Sequence, residues 1–183
     1  MKQSMMKLLL CLVAVVVSTA VMAESKPFNL SLTPDIAVYE RSYTIEGLTL
    51  SIWGENEQSA LALGFANGSN GRSLGFSAGW LLNYTYNYKG IQWAPVNYAG
   101  DNAIGWQSGL VDYTWGAMKG LQAGVVNYAG RLTGLEFGLV NYVEDGDAGV
   151  QIGLINIIRN NKSWFGELPD GLAPVMILFN WRF

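Results

Sequence analysis

Apolar and polar residues alternate along most of this chain, and the alternation itself recurs at a fixed interval. Five nine-residue units share the pattern glycine, apolar, glutamine, apolar, glycine, two apolar residues, asparagine and tyrosine, with a few replacements. The units are residues 90–98, 105–113, 120–128, 134–142 and 149–157, and their starts lie 15, 15, 14 and 15 residues apart. Alternation with period two is typical of a β-strand with two different faces, and a constant spacing of units indicates a repeat architecture.

Four stretches before these units also alternate, namely residues 28–33, 47–54, 60–67 and 75–84. The connections between strands are rich in Gly, Asn and Asp, and these residues favour tight turns. After residue 23, apolar residues do not recur at helical spacing. Together with a last strand within residues 173–183, the pattern predicts about ten strands.

The two faces of the repeat differ in chemistry. One carries Leu121, Ala123 and Val125, and the same count puts Asn127 there; the other carries glycine and glutamine. Tilted strands of about nine to eleven residues cross a bilayer, and a barrel with lipid outside and a narrow polar lumen inside accounts for both faces. We therefore predict an all-β fold, a transmembrane antiparallel β-barrel of about ten strands. The predicted lumen-facing residues are Gln92, Gln107, Gln122, Glu136, Gln151 and Arg182.

The end of the chain has its own pattern, with apolar or aromatic residues at every second position. This segment resembles the closing strand of bacterial outer-membrane barrels, in which a terminal phenylalanine and the aromatic residues before it act as the insertion signal. The resemblance implies that the barrel-assembly machinery is a partner of this chain, together with outer-membrane lipid. The residues that carry it are Ile177, Phe179, Trp181 and Phe183.

Residues 1–23 have the features of a secretory signal peptide. Lys2 and Lys7 supply the positive start, residues 8–17 are an apolar run, and Ala23 ends a cleavage site. Cys11 lies too early in this segment for a lipid-anchored cysteine. We expect residues 24–183 to be one exported domain, located in the outer membrane of a Gram-negative envelope.

The composition argues against an enzyme. The chain has no histidine, and its one cysteine, Cys11, falls in the predicted signal peptide. Ser-His-Asp and Cys-His pairs are therefore excluded, as is the commonest metal ligand, so we predict no enzymatic activity, no metal and no cofactor. Residues 24–183 carry nine basic and fourteen acidic side chains without a basic stripe in the sequence, which argues against nucleic acid as a partner.

The Gly-x-Gln-x-Gly-Leu-Val-Asn-Tyr units resemble those of the uncharacterised bacterial surface-repeat proteins, exported chains built from tandem units of this kind. The resemblance covers residues 60–157. It implies an envelope location, and it carries no established activity that could be transferred to this chain.

Two functions follow from these patterns. The first is a small integral outer-membrane barrel with a structural, surface-interaction or minor pore role. The alternative is a secreted β-solenoid, in which the 15-residue units stack as parallel rungs around a dry Leu/Val core and form a binding or adhesion surface. The repeat alone does not decide between them.

Overall fold

Residues 24–183, the part of the chain that the computed structural model describes, form an all-β solenoid of about eight turns. The predicted signal peptide, residues 1–23, lies outside the described residues. No helix among residues 24–183 is long and apolar enough to cross a membrane. The strands are β1 (Ser25–Thr33), β2 (Ile36–Ala37), β3 (Thr44–Gly54), β4 (Leu61–Trp93), β5 (Val96–Ala99), β6 (Ala103–Ser108), β7 (Val111–Ala123), β8 (Val126–Ile158) and β9 (Val175–Arg182).

Successive repeats stack in parallel, with each residue above its counterpart in the next unit. Gln92 pairs with Gln107, and Gln107 pairs with Gln122. An antiparallel meander would instead place different positions of the repeat opposite one another. The prediction of a ten-stranded antiparallel transmembrane barrel is therefore wrong, because the chain closes on itself within each 15-residue turn and not around ten strands.

A glycine begins each of the five units, and in four of them it has a positive φ where the chain changes direction. Gly120 has a φ of 133°, and Gly90, Gly105 and Gly134 have similar positive values. L-residues with a side chain rarely adopt this conformation. A Cβ on Gly120 would also overlap the carbonyl oxygen of Gly105 in the preceding turn. The glycine thus serves both the corner and the close approach of adjacent turns.

The interior of the solenoid is narrow and largely polar. Its apolar part consists of buried residues at the end of each repeat, among them Met118, Ala129, Leu132 and Val143. Most of the rest consists of buried glutamine and asparagine side chains, with two acids, Asp112 and Glu136, and several serines and threonines among them. A dry core made only of Leu and Val, as the solenoid alternative supposed, is therefore not what the chain builds.

Different strands cover the two ends of the solenoid. At one end, β1 pairs in parallel with β3, and the short β2 pairs antiparallel with the C-terminal part of β1. At the other end, β9 pairs antiparallel with the last part of β8. These terminal strands satisfy backbone groups that the first and last complete turns would otherwise expose.

Candidate functional site

The predicted lumen-facing residues of the repeat lie inside the solenoid and contact one another. Gln107 Nε2 donates a hydrogen bond to Gln92 Oε1 at 2.9 Å, and Gln122 Nε2 donates to Gln107 Oε1 at 2.8 Å. Gln151 Nε2 donates to Glu136 Oε2 at 2.8 Å. We call these five residues the glutamine ladder. They fill the interior along the solenoid axis, so they do not line a channel.

A second ladder runs parallel to the first, and each Nδ2 donates to the Oδ1 of the next turn. The bonds are 3.0, 2.9 and 2.7 Å long from Asn67 to Asp112, and 2.7 Å each from Asn127 to Asn156. The alternation predicted that Asn127 lies on the same side as Leu121 and Ala123. That prediction was wrong, because the corner at Gly124 and Val125 resets the alternation. The members of this asparagine ladder are Asn67, Asn83, Asn97, Asp112, Asn127, Asn141 and Asn156.

Each ladder is interrupted once, and each interruption involves an acidic residue. Between Gln122 and Glu136, both facing Oε1 atoms are buried without a hydrogen-bond partner. Between Asp112 and Asn127, Asp112 Oδ2 and Asn127 Oδ1 are also unpartnered, and each lies 2.9 Å from the position that a Cβ on Gly124 would occupy. In both places an acceptor meets an acceptor, and a proton on the acid would turn the contact into a hydrogen bond.

Burial favours that proton. Desolvation raises the pKa of Glu136 to about 8, although its hydrogen bond from Gln151 acts in the opposite direction. Desolvation also raises the pKa of Asp112 to about 6, although its hydrogen bond from Asn97 acts in the opposite direction. The neutral acids continue both ladders in their existing direction. The interior is therefore a hydrogen-bonded structural core, and these acids are not placed to act on a ligand.

The remaining predicted site residues lie at the end of the solenoid. Arg182 Nη1 donates to Asn161 Oδ1 and Glu167 Oε2, both at 3.0 Å, so it belongs to the cap and does not face a lumen. Ile177, Phe179 and Phe183 are exposed on and beyond β9, and the Trp181 ring stacks on Phe179. Their interpretation as a barrel-insertion signal had the barrel as its premise, and the solenoid removes that premise.

The outer surface is where the molecule offers a site. On the strands that carry the glutamine ladder, the residues on either side of each glutamine point outwards. β1 and β9 continue the same pattern at the two ends. We call this surface the apolar face, and Ser108 is its one polar residue. It consists of Phe28, Leu30, Leu48, Leu50, Leu61, Leu63, Phe76, Ala78, Ile91, Trp93, Trp106, Ser108, Leu121, Ala123, Leu135, Phe137, Val150, Ile152, Phe179 and Trp181.

The apolar surface continues around the adjacent corner. Leu110, Val125, Leu139 and Leu154 are exposed there, and Trp80 is 84% exposed where the chain has one extra residue before Asn83. We call this column the apolar edge. Together with the apolar face it forms one convex apolar zone on two sides of the solenoid.

A column of tyrosines borders this zone on the far side of the corner. The rings of Tyr98, Tyr113, Tyr128 and Tyr142 stack nearly in parallel, with centroids 5.5, 4.4 and 5.4 Å apart. Their hydroxyl groups provide a polar margin to the apolar surface. Tyrosine is enriched at boundaries of this kind, where one end of the side chain is apolar and the other is wet.

The zone contains an open groove of about 680 Å³ between Trp80 and Trp93. It exists because small residues separate the large ones: Ala78 and Gly79 lie in one turn and Ser108 and Gly109 two turns later. The groove is therefore apolar and flanked by two indole rings.

Comparison of the chain with protein-family models, with curated proteins and with solved structures gives no match. The function must therefore be argued from the surface itself. The sequence identified the outward-facing apolar residues but assigned them to the wall of a barrel. The signal that pointed to stacked turns was the recurrence of Gln and Asn at two fixed positions, because amide ladders need identical residues in register.

Proposed function

We propose that this chain is a binding module without enzymatic activity, which docks on a lipid surface of the cell envelope through its apolar zone. The observation that carries the proposal is the apolar face, where the outward positions of ten successive passes of the chain include one polar residue, Ser108. Attachment of this kind is peripheral, since the solenoid interior is filled and its apolar residues lie on two sides only.

The size of the zone supports a dedicated interaction. At a strand spacing of about 4.8 Å, ten passes extend over roughly 40 Å, and the face with its edge is roughly 15–20 Å wide. The largest apolar patch on a typical soluble monomer covers about 300–600 Å². The zone exceeds this range, and its exposed rings include Trp93 and Phe137, which are 61% and 57% exposed.

The shape of the zone favours lipid over a rigid protein partner. The apolar residues turn a corner, from Ala123 on one side through Val125 to Val126 on the next. A flat partner would cover one side and leave the other in water, whereas acyl chains and headgroups conform to a convex wedge. Tyrosine along one border is also the arrangement that membrane–water interfaces favour.

Replacing two central side chains tests the proposal. We expect the Trp93→Ser/Phe137→Ser variant to bind phosphatidylcholine vesicles at least tenfold more weakly than the unmodified chain in a flotation assay, because each ring contributes roughly 1.5–3 kcal/mol when it leaves water. Both side chains are largely exposed, so the fold and its melting temperature should change little.

The control is Trp164→Ser, which removes an indole with the same 61% exposure from the loop between β8 and β9. This variant should bind vesicles like the unmodified chain. Unchanged vesicle binding by the Trp93→Ser/Phe137→Ser variant would contradict the proposal. So would a concentration-dependent dimer in sedimentation velocity that this variant abolishes, since a second copy would then be the occupant of the zone.

A further inference from the structure

Each turn has a third side, formed by the residues just before the glycine that begins the next turn. This third side holds a groove lined by basic residues. Arg72, Lys89, Lys119 and Arg131 surround an open volume of about 590 Å³, to which Asn102 and Ala117 also contribute. We call this the basic groove. The four cations come from residues 72–131, so the sequence shows no basic stripe, and the stacking of turns brings them together.

The register of the parallel strands explains the groove. Lys89 pairs with Ile104, and Ile104 pairs with Lys119, so the two lysines project from the same column two turns apart, at about 10 Å. Arg131 pairs with Ala117, whose small side chain leaves space next to Lys119. The groove thus follows from residue size and position in two adjacent columns.

Three of the four basic residues in the groove form no salt bridge within the described part of the protein. Five of its nine basic residues form salt bridges, namely Lys26, Arg41, Arg131, Arg159 and Arg182. Three of the other four, Arg72, Lys89 and Lys119, line the basic groove. Arg131 has one exposed pairing, with Asp145 at 3.4 Å, and Asp147 is the acid that lines the groove.

This concentration of charge is unusual for a chain with fourteen acidic and nine basic residues after position 23. Neighbouring cations repel one another, and an anion placed between them relieves the repulsion. The groove also holds a neutral donor: Asn87 Oδ1 accepts hydrogen bonds from Asn102, and Asn87 Nδ2 donates to no other described residue. Ammonium, guanidinium and amide donors together suit the oxygens of a phosphate.

The groove adjoins the apolar face. Lys89 is separated from Ile91 by one glycine, and Lys119 is separated from Leu121 by one glycine. A phosphate held by these lysines would therefore lie at the border of the surface on which acyl chains are proposed to rest. A free anion would fill the groove alone, whereas an anionic phospholipid would use the groove and the apolar face together.

We propose that the basic groove binds the phosphate of an anionic phospholipid headgroup whose acyl chains contact the apolar face. This inference rests on the proposed function, and it adds the lipid class: the apolar zone provides general attachment, and the groove selects anionic lipid.

Vesicles of two compositions test the inference. The full chain should bind vesicles of phosphatidylcholine with about 30% phosphatidylglycerol more tightly than pure phosphatidylcholine vesicles. We expect Lys119→Ala to weaken binding to the anionic vesicles roughly fivefold and Lys89→Ala/Lys119→Ala to weaken it roughly thirtyfold, from the usual contribution of a lysine near an anionic surface. Binding to pure phosphatidylcholine should stay the same in both variants.

The matched control is Lys162→Ala, which removes the one lysine of residues 24–183 that lies outside the groove and forms no salt bridge, and which should leave the preference for anionic vesicles unchanged. Equal losses for Lys119→Ala and Lys162→Ala would overturn the inference, because net charge would then explain the effect. Release of the chain from anionic vesicles by inorganic phosphate, but not by chloride at the same ionic strength, would overturn it in favour of a free-phosphate site. A third outcome separates the two proposals. If the chain does not bind pure phosphatidylcholine but keeps a lysine-dependent preference for anionic vesicles, the basic groove is supported and attachment through the apolar zone alone is contradicted.

Discussion

Replacing Glu136 with glutamine should stabilise the protein by about 3 kcal/mol or more at pH 8, and should leave its stability nearly unchanged at pH 4. In the folded chain, burial raises the pKa of Glu136 to about 8, whereas an unfolded glutamate has its ordinary pKa of 4.5. Between pH 4.5 and about 8 the folded state binds more protons than the unfolded state, so the free energy of unfolding falls as pH rises through this window. An amide in place of the carboxyl group cannot ionise, and the loss of stability disappears with the ionisation.

The substitution Glu136→Gln also completes the glutamine ladder. The new Nε2 would donate to the unpartnered Oε1 of Gln122, and the new Oε1 would accept the bond that Gln151 now donates to Glu136. Urea unfolding at pH 4, 6 and 8 measures the effect. The control is Glu144→Gln, which alters an acid of the surface salt bridge with Arg159 and should give no comparable gain with pH. An equal difference between Glu136→Gln and the unmodified chain at all three pH values would contradict the buried, protonated state of Glu136.

Replacing Gly120 with alanine should strongly destabilise the protein. At a φ of 133° an alanine is strained, and its Cβ would overlap the carbonyl oxygen of Gly105, so the two turns must separate. Conformational strain of this type costs about 1–3 kcal/mol, and the displaced backbone adds to it. We expect a fall of at least about 3 kcal/mol in the free energy of unfolding, or failure to accumulate folded protein.

The control for this substitution is Gly100→Ala, at a corner where φ is not positive and the closest atom to a new Cβ is Tyr86 Cδ2 at 3.2 Å. That change should cost less than about 1 kcal/mol, since a flexible surface ring can move. Thermal and urea unfolding of the two variants provide the comparison. Similar melting temperatures for Gly120→Ala and the unmodified chain would contradict the close approach of adjacent turns.

The sequence predicts the local structure of the repeat better than its closure. Period-two alternation identifies residues 120–123 as a strand and places Leu121 and Gln122 on opposite sides, which the structure retains. It does not determine whether the sheet closes around ten strands or around one 15-residue turn. The structure puts glutamine inside and leucine outside, as the predicted barrel did. The solenoid alternative, with its Leu/Val core, had these two faces reversed.

The decisive signal lay in residues that the barrel did not explain. The alternation put Asn97 and Asn127 on the same side as the leucines, so in the barrel they had to lie at the membrane boundary or in turns, because an amide in lipid is costly. In the solenoid the corner before each asparagine turns it inwards, and the amides of Asn97 and Asn127 each bond to a counterpart in an adjacent turn. Identical amides at constant spacing are useful only if they meet, and parallel stacking is the arrangement that brings them together.

The basic groove could not be predicted from the sequence. Arg72, Lys89, Lys119 and Arg131 are separated by 12 to 30 residues of mostly uncharged chain, and their grouping depends on the register of five turns. The sequence predicts which positions of the repeat are apolar. Their exposure on two adjacent sides of the solenoid depends on where the corners fall. Corners at Gly120 and Gly124 are small local changes that have large effects on which residues share a surface.

In the proposed attachment, the apolar face contacts the hydrocarbon of a lipid layer, while the loop between β8 and β9 stays in water. A nitroxide label can test this directly, because in a Cys11→Ser background the chain has no other cysteine. A label at Ala123→Cys on the apolar face should become accessible to oxygen and protected from a water-soluble nickel reagent when vesicles are added. A label at Trp164→Cys, in the loop between β8 and β9, should remain accessible to the nickel reagent. Equal exposure of both labels to the nickel reagent on vesicle-bound protein would contradict the account.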